Sequence, residues 1–495
     1  MRSFALIFAL MFIVCSSAIA QDTSCGIVWE PSILLSDSNY RGSNPKIALS
    51  GDDTIHIIWE QGNTFSKIRL PYKRSVNGGV SFESTRELLT DSSKFPYPAS
   101  WTYVLANGNL VYVFFVGSSS SQTPVRMVTS HDRGNSWDTV KNISASTDTS
   151  GIISSASING DTIAIDVPPQ PNPRRILRST DRGLTWTRSN TDIGNDSQIA
   201  LTSNGLHLVQ LRLSPPVNEV EYKLSHDLGD TWDKTAIISD DDGIPSDVPL
   251  ITSGSSSSDS LVMVIWREYK YGCLDIIGCS IASRTGKVSG DSLIWNNEEI
   301  LTDQPRGYPT GAATYGNSRA AAWGDAVVPN QISHAVTKVS PDVNSSWCPT
   351  IDHTPNSSTI ILVAVAVSKK AVHVVWQDFI GGTNDREFIY YRRGKFVQTS
   401  VENETEVPKD VRLSQNYPNP FNPVTKINYR LPNSQYVNIT VYDVFGREVI
   451  VLVNERKQAG EYEAEWNATG LASGIYFYKI MTGTTILTKK ALLIK

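Results

Sequence analysis

Seven short stretches of this chain are either wholly apolar or alternate apolar with polar residues, the pattern of buried or half-buried β-strands. They are Ile55-His56-Ile57-Ile58-Trp59, Leu110 to Val116, Thr162 to Val167, Leu206 to Leu211, Leu261 to Trp266, Arg319 to Trp323 and Val372 to Trp376. Each follows a turn-rich stretch and a strand of small residues, and each leads through a polar hairpin to a third strand. Outer fourth strands are expected to begin near Phe82, Trp137, Trp186, Trp232, Trp295 and Trp347. The last unit stops at Tyr390-Tyr391-Arg392-Arg393 without one. Its missing strand stands at the front, as Ile27-Val28-Trp29-Glu30 running on to Leu34-Leu35. The pattern predicts an all-β ring of seven blades, closed by its N-terminal strand from about Cys25 to Phe396, which leaves no exposed edge between first and last blades.

A second periodicity lies on the first. The phrase Ser-x-Asp-x-Gly-x-Thr-Trp stands in full at Ser179, Asp181, Gly183, Thr185, Trp186 and at Ser225, Asp227, Gly229, Thr231, Trp232. Ser130, Asp132, Gly134, Ser136, Trp137 exchanges Thr for Ser. Ser75, Asn77, Gly79, Ser81, Phe82 and Ser340, Asp342, Asn344, Ser346, Trp347 are degraded copies. Copies roughly 50 residues apart indicate blades or a solenoid. The Asp accepts from nearby backbone N–H groups, the Gly reaches positive φ, and the Trp buries a large ring. That describes a rigid turn, so Asp132, Asp181, Asp227 and Asp342 are expected to be structural. The phrase resembles the Asp-box, or BNR repeat, of sialidase-like β-propellers. Those sialidases have six blades and the sixth unit here is weak, so six stands as the alternative to seven.

The remaining composition sets the compartment. Arg2, the apolar run Phe4 to Val14 and Ala18-Ile19-Ala20 make a secretory leader over residues 1–20, too short to span a bilayer, and no later segment reads as transmembrane. Four cysteines follow it, Cys25, Cys273, Cys279 and Cys348, an even number that suits two disulfides in an exported chain. Cys273–Cys279 would bridge the hairpin between strands two and three of the fifth unit. Cys25–Cys348 would join the outer strands of the closing blade and the blade before it. A formal charge of −5, with 44 basic and 49 acidic residues, gives no electrostatic case for nucleic acid.

The propeller is expected over residues 21–397, a polar linker over 398–412, and a different module over 413–495. That module opens with Tyr417-Pro418-Asn419-Pro420-Phe421-Asn422-Pro423. It continues through Ile427-Asn428-Tyr429-Arg430-Leu431-Pro432 and Ala459-Gly460-Glu461-Tyr462 to Leu471-Ala472-Ser473-Gly474-Ile475-Tyr476-Phe477-Tyr478-Lys479 and a basic end. Alternation with Gly-rich turns predicts a small immunoglobulin-like β-sandwich. The module resembles the type A C-terminal sorting domain of the type IX secretion system. The resemblance implies that the secretion machinery is a partner and that the protein works outside the cell or on its surface.

Candidate chemistry belongs on the face away from the Asp-boxes, where second strands end and links pass from blade to blade. A sialidase, as the resemblance implies, holds a carboxylate with three arginines and attacks with a Tyr paired to a Glu. Arg41, Arg267 and Arg306 are the candidates for the clamp, Tyr308 for the nucleophile and Glu268 for its carboxylate partner. Glu60 and Asp378 are candidate binding residues; the plain alternative is that all of these are solvated strand ends. Arg69-Leu70-Pro71 matches the sialidase Arg-Ile-Pro phrase, but its place before a box puts it on a third strand away from the channel. Ser36-Asp37, Thr90-Asp91, Ser239-Asp240 and Thr302-Asp303 read as turn caps, and Asp240-Asp241-Asp242-Gly243 as solvated acids. No zinc spacing, phosphate loop or nucleophile elbow occurs, and neither cofactor nor metal is expected. The sequence favours a non-catalytic propeller that binds extracellular glycan or protein, with an exo-alpha-sialidase (a glycoside hydrolase) as the alternative.

Overall fold

The computed structural model describes residues 25–494 apart from 38–39, 63–68, 90–98, 118–123, 145–151, 168–173, 195, 215–216, 241, 255–260, 274–278, 290–291, 303, 305, 327–333, 344, 355–359, 381–385, 398–410, 432–434, 459 and 484. The expected leader, nearly all of the linker, Thr90-Asp91, Asp241, Asp303 and Asn344 lie outside the described residues. The chain divides into two units, Met1–Val397 and Gln398–Lys495.

The first unit is a ring of seven antiparallel blades. Blade 1 is typical, with strands Arg41–Ser50, Thr54–Gly62, Pro71–Ser75 and Arg86–Glu87 laid side by side in chain order from the axis outward. Blades 2 to 6 occupy 99–142, 155–188, 198–237, 246–300 and 307–352. Blades 5 and 6 share one ladder contact, Cys279 opposite Gly307. Blade 7 is built from Ile360–Val367, Ala371–Ile380 and Arg386–Phe396. Ile27–Trp29 and Ile33–Leu34 complete it, with Trp29 opposite Gly394 and Leu34 opposite Tyr390. Each innermost strand abuts the next around the ring, and that of blade 7 abuts that of blade 1. The expected N-terminal closure is therefore present. Tryptophans that end second strands, Trp59, Trp266, Trp323 and Trp376, are fully enclosed between blades.

The Asp-box turns follow the repeat residue by residue. In blade 3 the Asp181 carboxylate accepts from the Thr185 amide (2.9 Å), the Thr185 hydroxyl (2.6 Å) and the Ser179 hydroxyl (2.7 Å). Those hydrogen bonds hold it at about 2, well under the ordinary carboxylate range. Asp132 and Asp227 make the same set, and in blade 1 the Asn77 side chain stands in, accepting from the Ser81 amide at 3.1 Å. Asp342 departs from the pattern. There the Ser340 hydroxyl donates to the backbone carbonyl of Asp342, in the copy that lacks the box glycine.

The box does more than close its own hairpin: it docks on the preceding blade. The Trp137 ring meets Tyr72 edge-on at 5.0 Å, Phe82 meets Tyr391 at 4.8 Å, and Trp186 meets Phe114 at 6.0 Å. Arginines of the preceding third strand donate to box carbonyls, Arg74 to Arg133 (2.9 Å), Arg178 to Asp227 (2.7 Å) and Arg393 to Gly78 (2.6 Å). This explains why the outer strands begin beyond the aromatics in blades 1 to 4 and 6. The aromatic ring belongs to the turn and to the neighbour, and the ladder resumes only afterwards. Gly79 has φ +86°, and a Cβ there would overlap the Tyr391 hydroxyl.

Link hydroxyls have a shared task that differs from capping their own turns. Ser36 accepts from the Ile389 amide (3.0 Å), Ser239 from Val220 (3.0 Å) and Thr302 from Ile281 (3.1 Å). Each extends the outer ladder by one hydrogen bond onto the third strand. Asp240 and Asp242, expected to be solvated, both pair with Lys270, at 2.8 and 3.1 Å. Cys25 is bonded to Cys348 (Cα separation 5.8 Å) and Cys273 to Cys279 (4.0 Å).

The second unit is a β-sandwich. One sheet contains Arg412–Leu413, Val424–Leu431 and Gly460–Asn467; the other contains Glu448–Lys457, Gln435–Tyr442, Gly474–Met481 and Ile486–Leu493. Inward residues of both sheets, Ile427, Ile439, Tyr478 and Leu493 among them, pack around Trp466, and Phe421 closes on that ring at 4.8 Å.

The docking contact yields a specific expectation. Gly79→Ala should destabilise the propeller by about 2–4 kcal/mol, through left-handed strain and overpacking. In the double variant with Tyr391→Phe the loss should be smaller than the sum of the two single losses. Denaturant midpoints of the four chains check this coupling.

Candidate binding site at the channel mouth

The innermost strands enclose an axial channel of about 250 Å³, walled by one stretch from each blade, such as Ile47–Leu49 and Val104–Ala106. The wall is mostly Ala, Val, Ile and Leu with the hydroxyls of Ser157, Thr252, Ser253 and Thr314 among them, and among the described residues it carries no charged one, so charged chemistry belongs to its ends. At the end opposite the boxes the innermost strands begin irregularly. The ladder slips between Ser43 and Lys46, between Ser100 and Tyr103, and between Asp247 and Leu250. A non-glycine residue sits at positive φ in each slip: Asn44 (51°), Trp101 (55°) and Val248 (49°). Such bulges turn side chains away from the ladder, and left-handed backbone persists only where neighbours hold it.

The neighbours that hold it form a chain across blades 7, 1 and 2. Arg41 donates to Glu387 (2.6 Å), and Gln377 donates to the other oxygen of Glu387 (2.9 Å). The Asn44 amide donates to Gln377 (3.2 Å), and the Asn44 side chain to Glu60 (2.7 Å). Glu60 also accepts from the backbone of Thr102 and Trp101. Lys46 lies beside this chain with its ammonium 4.8 Å from the centre of the Tyr103 ring. Burial pushes the Glu60 carboxyl up and the Lys46 ammonium down, while attraction between the two opposes both shifts. At the outer edge of the chain Trp101 remains 48% exposed.

A second cluster lies on blades 5 and 6. Arg267 makes a two-pronged pair with Asp247, both bonds 2.5 Å, and Tyr269 donates to the same carboxylate at 3.2 Å. The Arg267 guanidinium lies 5.3 Å from the Tyr269 ring centre and 5.5 Å from that of Tyr308. In blade 3 an analogous polar end is closed off, with Asp166 fully buried and held by Arg174 (2.8 and 2.7 Å) and Ser197 (2.8 Å).

The residues singled out from the sequence thus separate. Arg267 and Tyr308 come together, with Arg306 two residues before Tyr308 in the chain and 3.9 Å from Asp325. Arg41 lies on blade 1 and belongs to the other cluster, the one that spans blades 7, 1 and 2. Glu268 is 2% exposed and accepts from Ser246 (2.8 Å), Trp266 (3.0 Å) and the Lys270 amide (3.0 Å). It is a buried brace for the strand end, neither solvated nor directed at Tyr308. Glu60 is also buried rather than solvated, and it braces blade 2. Asp378 is half-buried on the second strand of blade 7, opposite Phe388. Arg69 faces Gln61 at the entry to the third strand of blade 1, as its position implies. Sequence reasoning missed Asn44, Trp101, Gln377 and Asp247. The signal for Gln377 was present, because it follows Trp376 as Glu60 follows Trp59.

Residues 415–495 match the family described as secretion system C-terminal sorting domain. Such a domain marks the chain for export to the cell surface or for secretion. Among the described residues no helix is long and apolar enough to cross a membrane. No curated protein matches the chain. Among solved structures it is similar to a Dyadobacter fermentans protein of unknown function, at 14% identity and TM-score 0.43, over 75% of this chain and 99% of that one. A Trypanosoma rangeli sialidase mutant displaying trans-sialidase activity is 9% identical, with TM-score 0.42, over 94% and 88%. PorZ, a surface component of the type IX secretion system of Porphyromonas gingivalis, is 12% identical, with TM-score 0.38, over 91% and 59%.

The polar chain across three blades makes Glu60 its most sensitive member. Glu60→Ala should cost about 2–4 kcal/mol, since it strips an acceptor from three donors at once. Thermal unfolding should register that loss, and hydrogen exchange should rise first at residues 101–107.

Proposed function

We propose that this protein is an exported seven-bladed propeller that binds extracellular glycan or protein at the channel mouth without catalysing a reaction, and that the secretion machinery recognises its C-terminal sandwich. The observation that carries this reading is the state of the candidate arginines. Arg41, Arg267 and Arg306 each already face a carboxylate of the protein, Glu387, Asp247 and Asp325. A substrate carboxylate would have to displace those partners, and the two-pronged pair at Arg267 is a strong competitor. Glu268, the expected partner for a tyrosine nucleophile, is directed elsewhere.

The pairing of Arg267 with Tyr308 favours a second reading, an exo-alpha-sialidase working from blades 5 and 6. One assay separates the two. The full chain is incubated with 4-methylumbelliferyl N-acetylneuraminate, beside Arg267→Ala and Tyr308→Phe variants. Non-catalytic binding predicts no release above the blank in any of the three. Release by the wild type that both substitutions abolish would establish the enzyme.

A further inference from the structure

Trp101 lies in the bulge that opens the innermost strand of blade 2. Its backbone sits at φ 55° and its side chain is 48% exposed. Among the described residues of the propeller it is the one Phe, Tyr or Trp that stands exposed. Val76, Val80 and Leu184, exposed as well, belong to box turns on the opposite face. A left-handed backbone is unfavourable for a bulky residue, and a ring half exposed to water returns only part of that cost through burial. The arrangement is nevertheless enforced, by the Glu60 carboxylate on the Trp101 and Thr102 backbone and by Asn44 on Glu60. Strain held in place by a neighbouring blade, at a channel mouth, is the mark of a side chain kept ready for a ligand.

We propose that the Trp101 indole is the stacking platform for a neutral pyranose ring of an extracellular glycan, an inference that rests on the non-catalytic binding reading above. The C–H face of a sugar ring meets the electron-rich face of an indole favourably, while hydroxyls at the ring edge take hydrogen bonds from polar neighbours. Polar groups follow along the same hydrogen-bonded chain, from Glu60 and Asn44 to Gln377, Glu387 and the half-exposed Arg41. The charges along this chain balance, Arg41 against Glu387 and Lys46 against Glu60, so nothing here selects an acidic sugar. A protein partner would need about 800 Å² of complementary surface on this side, whereas a single ring among polar groups fits one or two sugar units.

The test uses the full chain on an array of dextran, laminarin, mannan, galactan and chitohexaose, with sialyllactose and polygalacturonate as acidic probes. The wild type should bind at least one neutral glycan. Trp101→Ala and Trp101→Gly should weaken that binding about tenfold or more, while Trp101→Phe keeps it within a few-fold. Trp101→Gly should also unfold at the wild-type temperature or above, because glycine accepts the positive φ. That result separates a binding role from a structural one. Neutral-glycan binding that survives Trp101→Ala overturns this inference and leaves the binding reading standing. Binding of no glycan overturns it and leaves only a protein ligand, and turnover of sialyllactose overturns both.

Discussion

The contact on which this propeller depends is the seating of the Asp-box turns of blades 1 to 4 against the third strand of the blade before. Apart from the contact of Cys279 with Gly307 between blades 5 and 6, the backbone ladders run within blades, so the ladders do little to fix one blade to the next. The box supplies that link three times over. An aromatic ring packs edge-on against the neighbour, an arginine from the neighbour donates to box carbonyls, and the box glycine leaves room for a neighbour's side chain. Because the turn needs its carboxylate, its left-handed residues and its ring together, the phrase repeats as a unit. The final copy differs: without the glycine, the Ser340 hydroxyl donates to the Asp342 carbonyl.

Closure follows from the same contact. Arg393 of blade 7 donates both to Gly78 in the box of blade 1 (2.6 Å) and to Glu30 beside the N-terminal strand (2.7 and 2.9 Å). The disulfide from Cys25 to Cys348 ties that strand to blade 6 as well. A ring closed this firmly can hold irregular backbone at its opposite face. Asn44, Trp101 and Val248 sit at positive φ where blades meet, each in a bulge anchored by the surrounding strands. Stability on the box face and strain at the channel mouth are two consequences of one architecture.

Much of this was legible in the chain. Alternation located the second strands, and the displaced strand at Ile27 announced the closure, because its absence after Arg393 had no other remedy. The site was less legible, for a physical reason. Glu60 and Glu268 follow buried tryptophans and look like the solvated ends of strands, yet both are buried, Glu60 under blade 2. A strand pattern records which face of its own sheet a residue occupies, not what the next blade brings over it. Trp101 was invisible for a related reason: a bulge shifts the alternation by one residue, and local sequence carries no clear mark of it. The arginines were found as residue types in the right links, but their partners Asp247, Asp325 and Glu387 come from elsewhere in the fold.

The most direct test of this account removes a single staple and asks how far the effect travels. In Arg393→Ala, hydrogen exchange should accelerate at residues 27–35 and in the box at 75–83. Protection in the core strands of blades 3 and 4 should fall with them, as one cooperative opening of the ring. Faster exchange confined to blades 7 and 1, with blades 3 and 4 as protected as before, would show that the blades stand independently and that the box is only a local turn.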